Sequence, residues 1–189
     1  MTQDDPLLRE RWPPVYDADQ LARDISQLVK RGLTTAQFYT LRSLAEPRVC
    51  QGDVFLLEAG VPVIDEDGEA VALGDQSYWL VIGNTCDFAR TIGEVPWTQA
   101  VPIDDLGQDV SATELSKLQG YQASRVFYLP AWSGSVGHCV ADLLRPVAVH
   151  KQCFVDEKAK VVARLDRPAW VLLHSCLIRF LARDDGRFD

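Results

Sequence analysis

Apolar side chains recur at helical spacing near both ends of the chain and in short runs through its middle. Leu21, Ile25 and Leu28 fall on one face after Asp17-Ala18-Asp19-Gln20, which resembles a capping box. Lys30 and Arg31 suit the negative end of such a helix, and Gly32 suits the position after it. A second start at Thr34 precedes the apolar stripe of Phe38, Leu41 and Ala45, and Pro47 stops it. The pattern predicts a helical hairpin over 17–46, behind a polar and then proline-rich arm at 1–16.

The period shortens at Val49. Gly52-Asp53-Val54-Phe55-Leu56-Leu57 reads as a strand after a turn. Asp65-Glu66-Asp67-Gly68 is an acidic turn that joins two strands, the second at Glu69–Leu73. Ser77–Gly83 is the most hydrophobic run and does not alternate, which predicts a strand buried on both faces. Ala100–Ile103 is a further strand, and Pro102 predicts that it lies at an edge or a bulge. Ser111-Ala112-Thr113-Glu114 is a capping box for a short helix to about Leu118. Strands follow at Arg125–Leu129, Gly137–Leu143 and Arg145–His150. Asp166-Arg167-Pro168 then opens a helix over roughly 168–183. Trp170, Leu173, Leu177, Phe180 and Leu181 form its predicted apolar stripe.

This order predicts a mainly β, α+β fold, because long helices do not alternate with the strands. The expected layout is an N-terminal arm and helical hairpin (1–48), an SH3-like β-barrel (49–150) and a C-terminal helical extension of the same domain (151–189). The length of 189 residues and the 47% hydrophobic content allow one such core and exclude a disordered chain.

Charge sharpens the division. The formal net charge is −8, distributed as 0 over 1–48, −10 over 49–148 and +2 over 149–189. An acidic middle repels a polyanion. Nucleic acid is therefore expected only at the C-terminal basic residues Lys151, Lys158, Lys160, Arg164, Arg167, Arg179, Arg183 and Arg187. The N-terminal residues have no cationic and apolar signal pattern, and the apolar runs are too short for a bilayer. Five widely spaced cysteines form no C-x-x-C pair. A cytoplasmic protein with reduced thiols is the expectation, with no membrane partner.

The most distinctive local chemistry is Val81-Ile82-Gly83-Asn84-Thr85-Cys86-Asp87-Phe88. A buried strand that ends at Gly83 presents Cys86 near a strand end. The candidate catalytic set is Cys86 as nucleophile, His138, His150 or His174 as base, and Asp87 or Asp142 as orienter. The leading trio is Cys86, Asp87 and His138. The competing reading makes Cys86 a small buried hydrophobe. His138 and Cys139 are adjacent, so on a strand they point to opposite faces and are poor joint ligands. The acidic residues Asp65, Glu66, Asp67 and Glu69 read as a solvated hairpin tip. No glycine-rich phosphate loop is present, and neither a metal nor a cofactor is implied.

Gly52-Asp53-Val54-Phe55, the acidic hairpin, Trp79-Leu80-Val81-Ile82-Gly83-Asn84 and Ala100-Val101-Pro102-Ile103 together resemble the framework of PemK/MazF-type toxins. The resemblance covers about residues 50–105. It implies an SH3-like barrel and, for the family, cleavage of single-stranded RNA. This chain has Ser77-Tyr78 where the family has Arg-Pro, and Asp104 near the place of a threonine. The barrel is carried over and the nuclease is not. Asn84-Thr85-Cys86-Asp87 is also similar to a strand-end motif of bacterial proteins, some near mobile-element or defence genes.

The functional expectation is a cytosolic bacterial non-catalytic binding module that acts through a protein partner or as a homo-oligomer, with a link to toxin–antitoxin or phage-defence systems. The alternatives are a divergent toxin-like ribonuclease or Cys86-dependent hydrolase, and a nucleic-acid-binding accessory protein.

Overall fold

The computed structural model describes residues 23, 25–27, 29, 38–40, 49–57, 61–64, 67–73, 78–107, 110–135, 137–155 and 159–181. Among the described residues nine strands are present: β1 (Asp53–Leu57), β2 (Val61–Ile64), β3 (Ala70–Leu73), β4 (Tyr78–Val81), β5 (Trp97–Asp105), β6 (Val126–Leu129), β7 (Cys139–Asp142), β8 (Val147–His150) and β9 (Ala159–Arg164). The helices are α1 (Thr85–Phe88), α2 (Ala112–Gln119) and α3 (Arg167–Leu181), with a 3-10 turn at Lys151–Phe154. Most of the predicted hairpin at 17–46 lies outside the described residues. Arg23, Ile25, Ser26, Gln27, Val29 and Phe38 within it are helical.

Seven strands form one antiparallel sheet in the order β6-β7-β5-β4-β1-β9, with β8 also paired to β5. The fold is therefore α+β and mainly antiparallel sheet. No ladder among the described residues joins β6 to β9, so the sheet is open. The hairpin β2-β3 stands apart, with Val61 opposite Leu73 and Ile64 opposite Ala70. Its turn contains Gly68 at φ +81°.

β5 is the hinge of the architecture. Along one edge, Trp97–Ala100 pair with β8, while Ile103–Asp105 pair with β7. Along the other edge, Ala100–Pro102 pair with β4. The expected edge position of Pro102 is thus corrected: it lies buried in a central strand. Gln99 O accepts from the β4 side, so Pro102, three residues on, directs its backbone to the opposite side. There it falls between the end of the β8 ladder and the start of the β7 ladder. The missing N–H therefore breaks no ladder hydrogen bond.

The absence of alternation in β4 has a direct cause. Leu80 packs into a large cluster with Val54, Val101, Phe127, Leu172 and Leu173. Trp79 and Val81 face a second cluster with Phe55, Ala100, Val149 and Phe154. Both faces of the strand are covered. Gly52, at φ +89°, turns the chain into β1 and donates its N–H to Val81 O at 2.8 Å.

The sheet does not end at His150. β9 returns to pair with β1, with a register shift between Val54 and Phe55, and makes one outer strand. The segment 151–164 therefore completes the sheet before the C-terminal helix begins. Tyr39 bridges Leu165, and Asp166 N donates to Phe38 O at 2.9 Å. These contacts seat the residues around Phe38 beside the end of β9.

α3 buries Ala169, Leu172, Leu173 and Cys176 against the sheet. Leu177 and Phe180 pack partly beside them. The predicted stripe is rotated, because Trp170 is 36% and Leu181 is 79% exposed. Small Ala169 and Cys176 flank the two leucines on the buried face. The larger Trp170 is left outside.

Candidate functional site

The site is built where β4 leaves the sheet. Ile82 N and Gly83 N both donate to Gln99 O at 3.0 Å, which ends the regular ladder. A Cβ on Gly83 would collide with Thr98 Oγ1 and lie 3.0 Å from Gln99 N, so the close approach requires glycine. Asn84 is extended at the N-cap of α1, and its side chain makes no capping bond. One helical turn then carries Cys86 and Asp87.

Two polar anchors hold that turn. Gln51 N donates to Thr85 Oγ1 at 2.9 Å, and Gln51 Nε2 donates to Ile82 O at 2.7 Å. The remaining Gln51 oxygen bonds His174 Nε2. Because the Gln51 amide hydrogen is committed to Ile82, the network assigns the His174 proton to Nε2. Burial lowers the pKa of this imidazole. Its ring also lies 4.2 Å from that of Trp170. The second anchor is Lys151, whose Nζ donates to Asp87 O at 2.8 Å and Arg90 O at 2.9 Å. Lys151 is only 3% exposed, so its charge is spent on the C-terminal carbonyls of the short helix.

Behind the site, Arg164 grips buried Asp53 through Nε–Oδ1 at 2.6 Å and Nη2–Oδ2 at 2.9 Å. Cys50 N donates to the same carboxylate at 2.8 Å. Burial raises the Asp53 pKa, and the hydrogen bonds from Arg164 and Cys50 oppose that rise. The pair ties β1 to β9.

In front of the strand end is an open cleft of about 290 Å³, lined by Gly83, Asn84, Asp87, Trp97, Thr98 and Gln99 among others. Trp97 is 57% exposed, and its ring stands at 89° to that of His150, 5.2 Å away. Thr98 is buried, and its hydroxyl has no hydrogen-bond partner among the described residues. Among the described residues no lysine or arginine lines the cleft. No protein-family model matches this chain, and no curated protein matches it.

The structure distributes the residues that sequence singled out. Cys86 is exposed on α1. Asp87 lines the cleft and faces Arg90 at 3.9 Å. His138 is elsewhere: its Nδ1 bonds Tyr128 OH at 2.7 Å, and its carbonyl accepts from Leu106 N. Gly83 sits at Gln99, so about seven strand positions, on the order of 20 Å of extended chain, separate the two sites along β5. Cys86 and Asp87 are therefore together, and His138 is not with them.

His150 Nδ1 accepts from Gln152 N at 3.3 Å and caps the 3-10 turn. Asp142 accepts from Leu144 N at 3.0 Å. His174 reaches the base of α1 through Gln51 and Thr85, not the Cys86 thiol. Cys139 and Cys176 are buried, and burial pushes each thiol up to about 11. Among the described residues no group of three or more His, Cys, Asp or Glu side chains is placed to hold a metal ion. No described helix is long and apolar enough to cross a membrane.

The basic tail is partly consumed inside the fold. Lys151 and Arg164 have the roles above, and Arg179 Nη2 donates to Ala123 O at 3.2 Å. Lys158, Arg183 and Arg187 lie outside the described residues. Gln51, Trp97 and Thr98 carry no signal in the sequence, and Lys151, read there as a basic residue for nucleic acid, instead anchors the short helix. Only Gly83 carried a local signal, as the glycine that ends a buried strand.

Proposed function

We propose that the protein is a cytosolic bacterial non-catalytic binding module that acts through a protein partner or a second copy of itself. Its framework is read as an SH3-like barrel left open between β6 and β9. The shared edge of β5, which feeds two ladders and bends the sheet, supports that reading. A link to toxin–antitoxin or phage-defence systems rests on the sequence resemblance alone.

The observation that carries the partner reading is the outer face of α3. With its inner face already packed, the helix still presents Trp170, Val171, Ile178 and Leu181, each at least 36% exposed. Positions 170, 171, 174, 178 and 181 recur at helical spacing and make a second face. Such an exposed apolar stripe is a surface that soluble chains reserve for contacts.

The test compares wild type with the Ile178→Glu/Leu181→Glu double variant, by light scattering and by quantitative copurification from the native cells. Loss of a stoichiometric partner, or of self-association, in a variant with unchanged melting temperature supports the proposal. A monomer that retains no partner from its native cells overturns it.

A second reading is a divergent ribonuclease or a Cys86-dependent hydrolase. It is favoured by the exposure of Cys86 on the turn that also places Asp87 in the cleft. RNA incubation of wild type, Cys86→Ala and Arg125→Ala separates the readings: cleavage that disappears on substitution replaces the binding-module assignment.

A further inference from the structure

We propose that the cleft between α1 and the start of β5 is a binding site for a neutral carbohydrate, with one pyranose ring seated on the Trp97 indole. This inference concerns a different surface from α3 and does not depend on the partner reading.

Four observations converge on it. The cleft volume of about 290 Å³ is at the small end of ligand sites and suits one ring. Trp97 offers a flat apolar face at 57% exposure, beside His150. Such a face stacks on the C–H face of a sugar and releases water from both. Around it stand Asn84, Gln99 and Asp87. Their amide donors and carbonyl and carboxylate acceptors match hydroxyl groups, which both give and accept hydrogen bonds. The Asn84 amide makes no capping bond to α1.

The fourth observation is Thr98. Its hydroxyl is buried without a partner, an arrangement that costs stability unless something else benefits. Gly83 covers it with backbone alone, since any Cβ there would collide with the oxygen. Gly83 seals that oxygen from the cleft, so a ligand hydroxyl supplies the missing partner only when the Gly83 backbone shifts aside on binding.

The same inventory selects against other ligands. Among the described lining residues the charged side chain is Asp87, which a phosphate would face, and the nearby Arg90 is already paired with that carboxylate at 3.9 Å. The cleft is open and its described lining contains one aromatic ring, so a nucleobase would leave its second face in water. A sugar keeps its outward hydroxyls hydrated in the same pose.

The experiment is saturation-transfer NMR on the full chain. The probes are methyl glycosides of glucose, galactose, mannose and N-acetylglucosamine, with adenosine and adenosine monophosphate for contrast. The expected result is transfer to the ring C–H protons of at least one glycoside. Binding should weaken roughly tenfold or more in Trp97→Ala and about fivefold in Thr98→Val, the worth of one stacking face and one hydrogen bond. Trp97→Phe keeps a ring and should retain part of the affinity, which guards against a folding artefact. Absence of transfer to every glycoside overturns the proposal. So does binding that Trp97→Ala leaves unchanged, or adenosine monophosphate binding more tightly than every glycoside.

Discussion

The Lys151 ammonium donates to the carbonyl oxygen of Asp87 at 2.8 Å, deep enough that the lysine is 3% exposed. One buried cation from the end of β8 thereby holds the turn that carries Cys86 and Asp87. Replacing it by methionine keeps much of the stem but strands the Asp87 and Arg90 carbonyls. Lys151→Met should destabilise the fold by about 2–4 kcal/mol, the scale of charge-assisted bonds lost from buried acceptors. Urea denaturation measures the loss. Amide exchange should quicken in the 84–95 segment before it does so in β4.

Thr98 makes the opposite prediction. Thr98→Val removes a buried hydroxyl that has no partner, so the unliganded protein should gain about 1 kcal/mol and melt at a higher temperature. Gly83→Ala should cost about 1–3 kcal/mol through the clash with the same oxygen. In a Thr98→Ala background that cost should shrink. A double-mutant cycle that shows no coupling would contradict the close approach.

Asp53 and Arg164 form the second internal lock. Asp53→Ala removes the bidentate partner of a guanidinium that is only 13% exposed, and Arg164→Met leaves the fully buried carboxyl without its main partner. Each should cost about 3–5 kcal/mol in chemical denaturation. Replacing both should cost less than the sum, because neither charge is then left alone.

His174 gives stability a pH dependence with a definite sign. Burial favours its neutral form, so its folded pKa lies below the unfolded value of 6.5. Between those two values the unfolded chain binds the extra proton. The stabilisation is thus complete above pH 6.5 and is lost as pH falls through the folded pKa. Denaturation midpoints should decline on acidification from pH 7, less steeply in His174→Gln than in wild type.

Thiol labelling should sort the cysteines by burial. Cys86 and Cys153 are exposed and should alkylate quickly at neutral pH. Cys139 and Cys176, with thiols raised to about 11, should react only after unfolding. Mass spectrometry of peptides after a short pulse of iodoacetamide reads this directly.

Much of the fold was legible because its signals are local. The capping box at Ser111 appears as predicted: Ser111 Oγ accepts from Glu114 N at 3.2 Å. The run Ser77–Gly83 reads as doubly buried, and the strand it forms, Tyr78–Val81, lies between two clusters. Proline and helix-start signals at Asp166–Pro168 place α3 correctly, with Trp170 N bonded to Asp166 O. β9 carries no local signal because its place as an outer strand depends on a partner more than a hundred residues earlier, β1. The face of α3 was misjudged because periodicity marks apolar positions without saying which of two apolar faces the sheet covers.

The sequence by itself determined most of the strands, the C-terminal helix, the acidic middle and the special strand end at Gly83-Asn84-Thr85-Cys86-Asp87. These follow from spacing, charge and turn chemistry, which act over a few residues. Tertiary structure alone decided that His138 stands away from Cys86, that Lys151 and Arg164 are spent inside the fold, and that Trp97 and Thr98 meet Asn84 and Asp87 in one cleft. Those facts depend on the register of β5 against three neighbouring strands, a long-range choice in which packing and the satisfaction of buried polar groups outweigh any local preference.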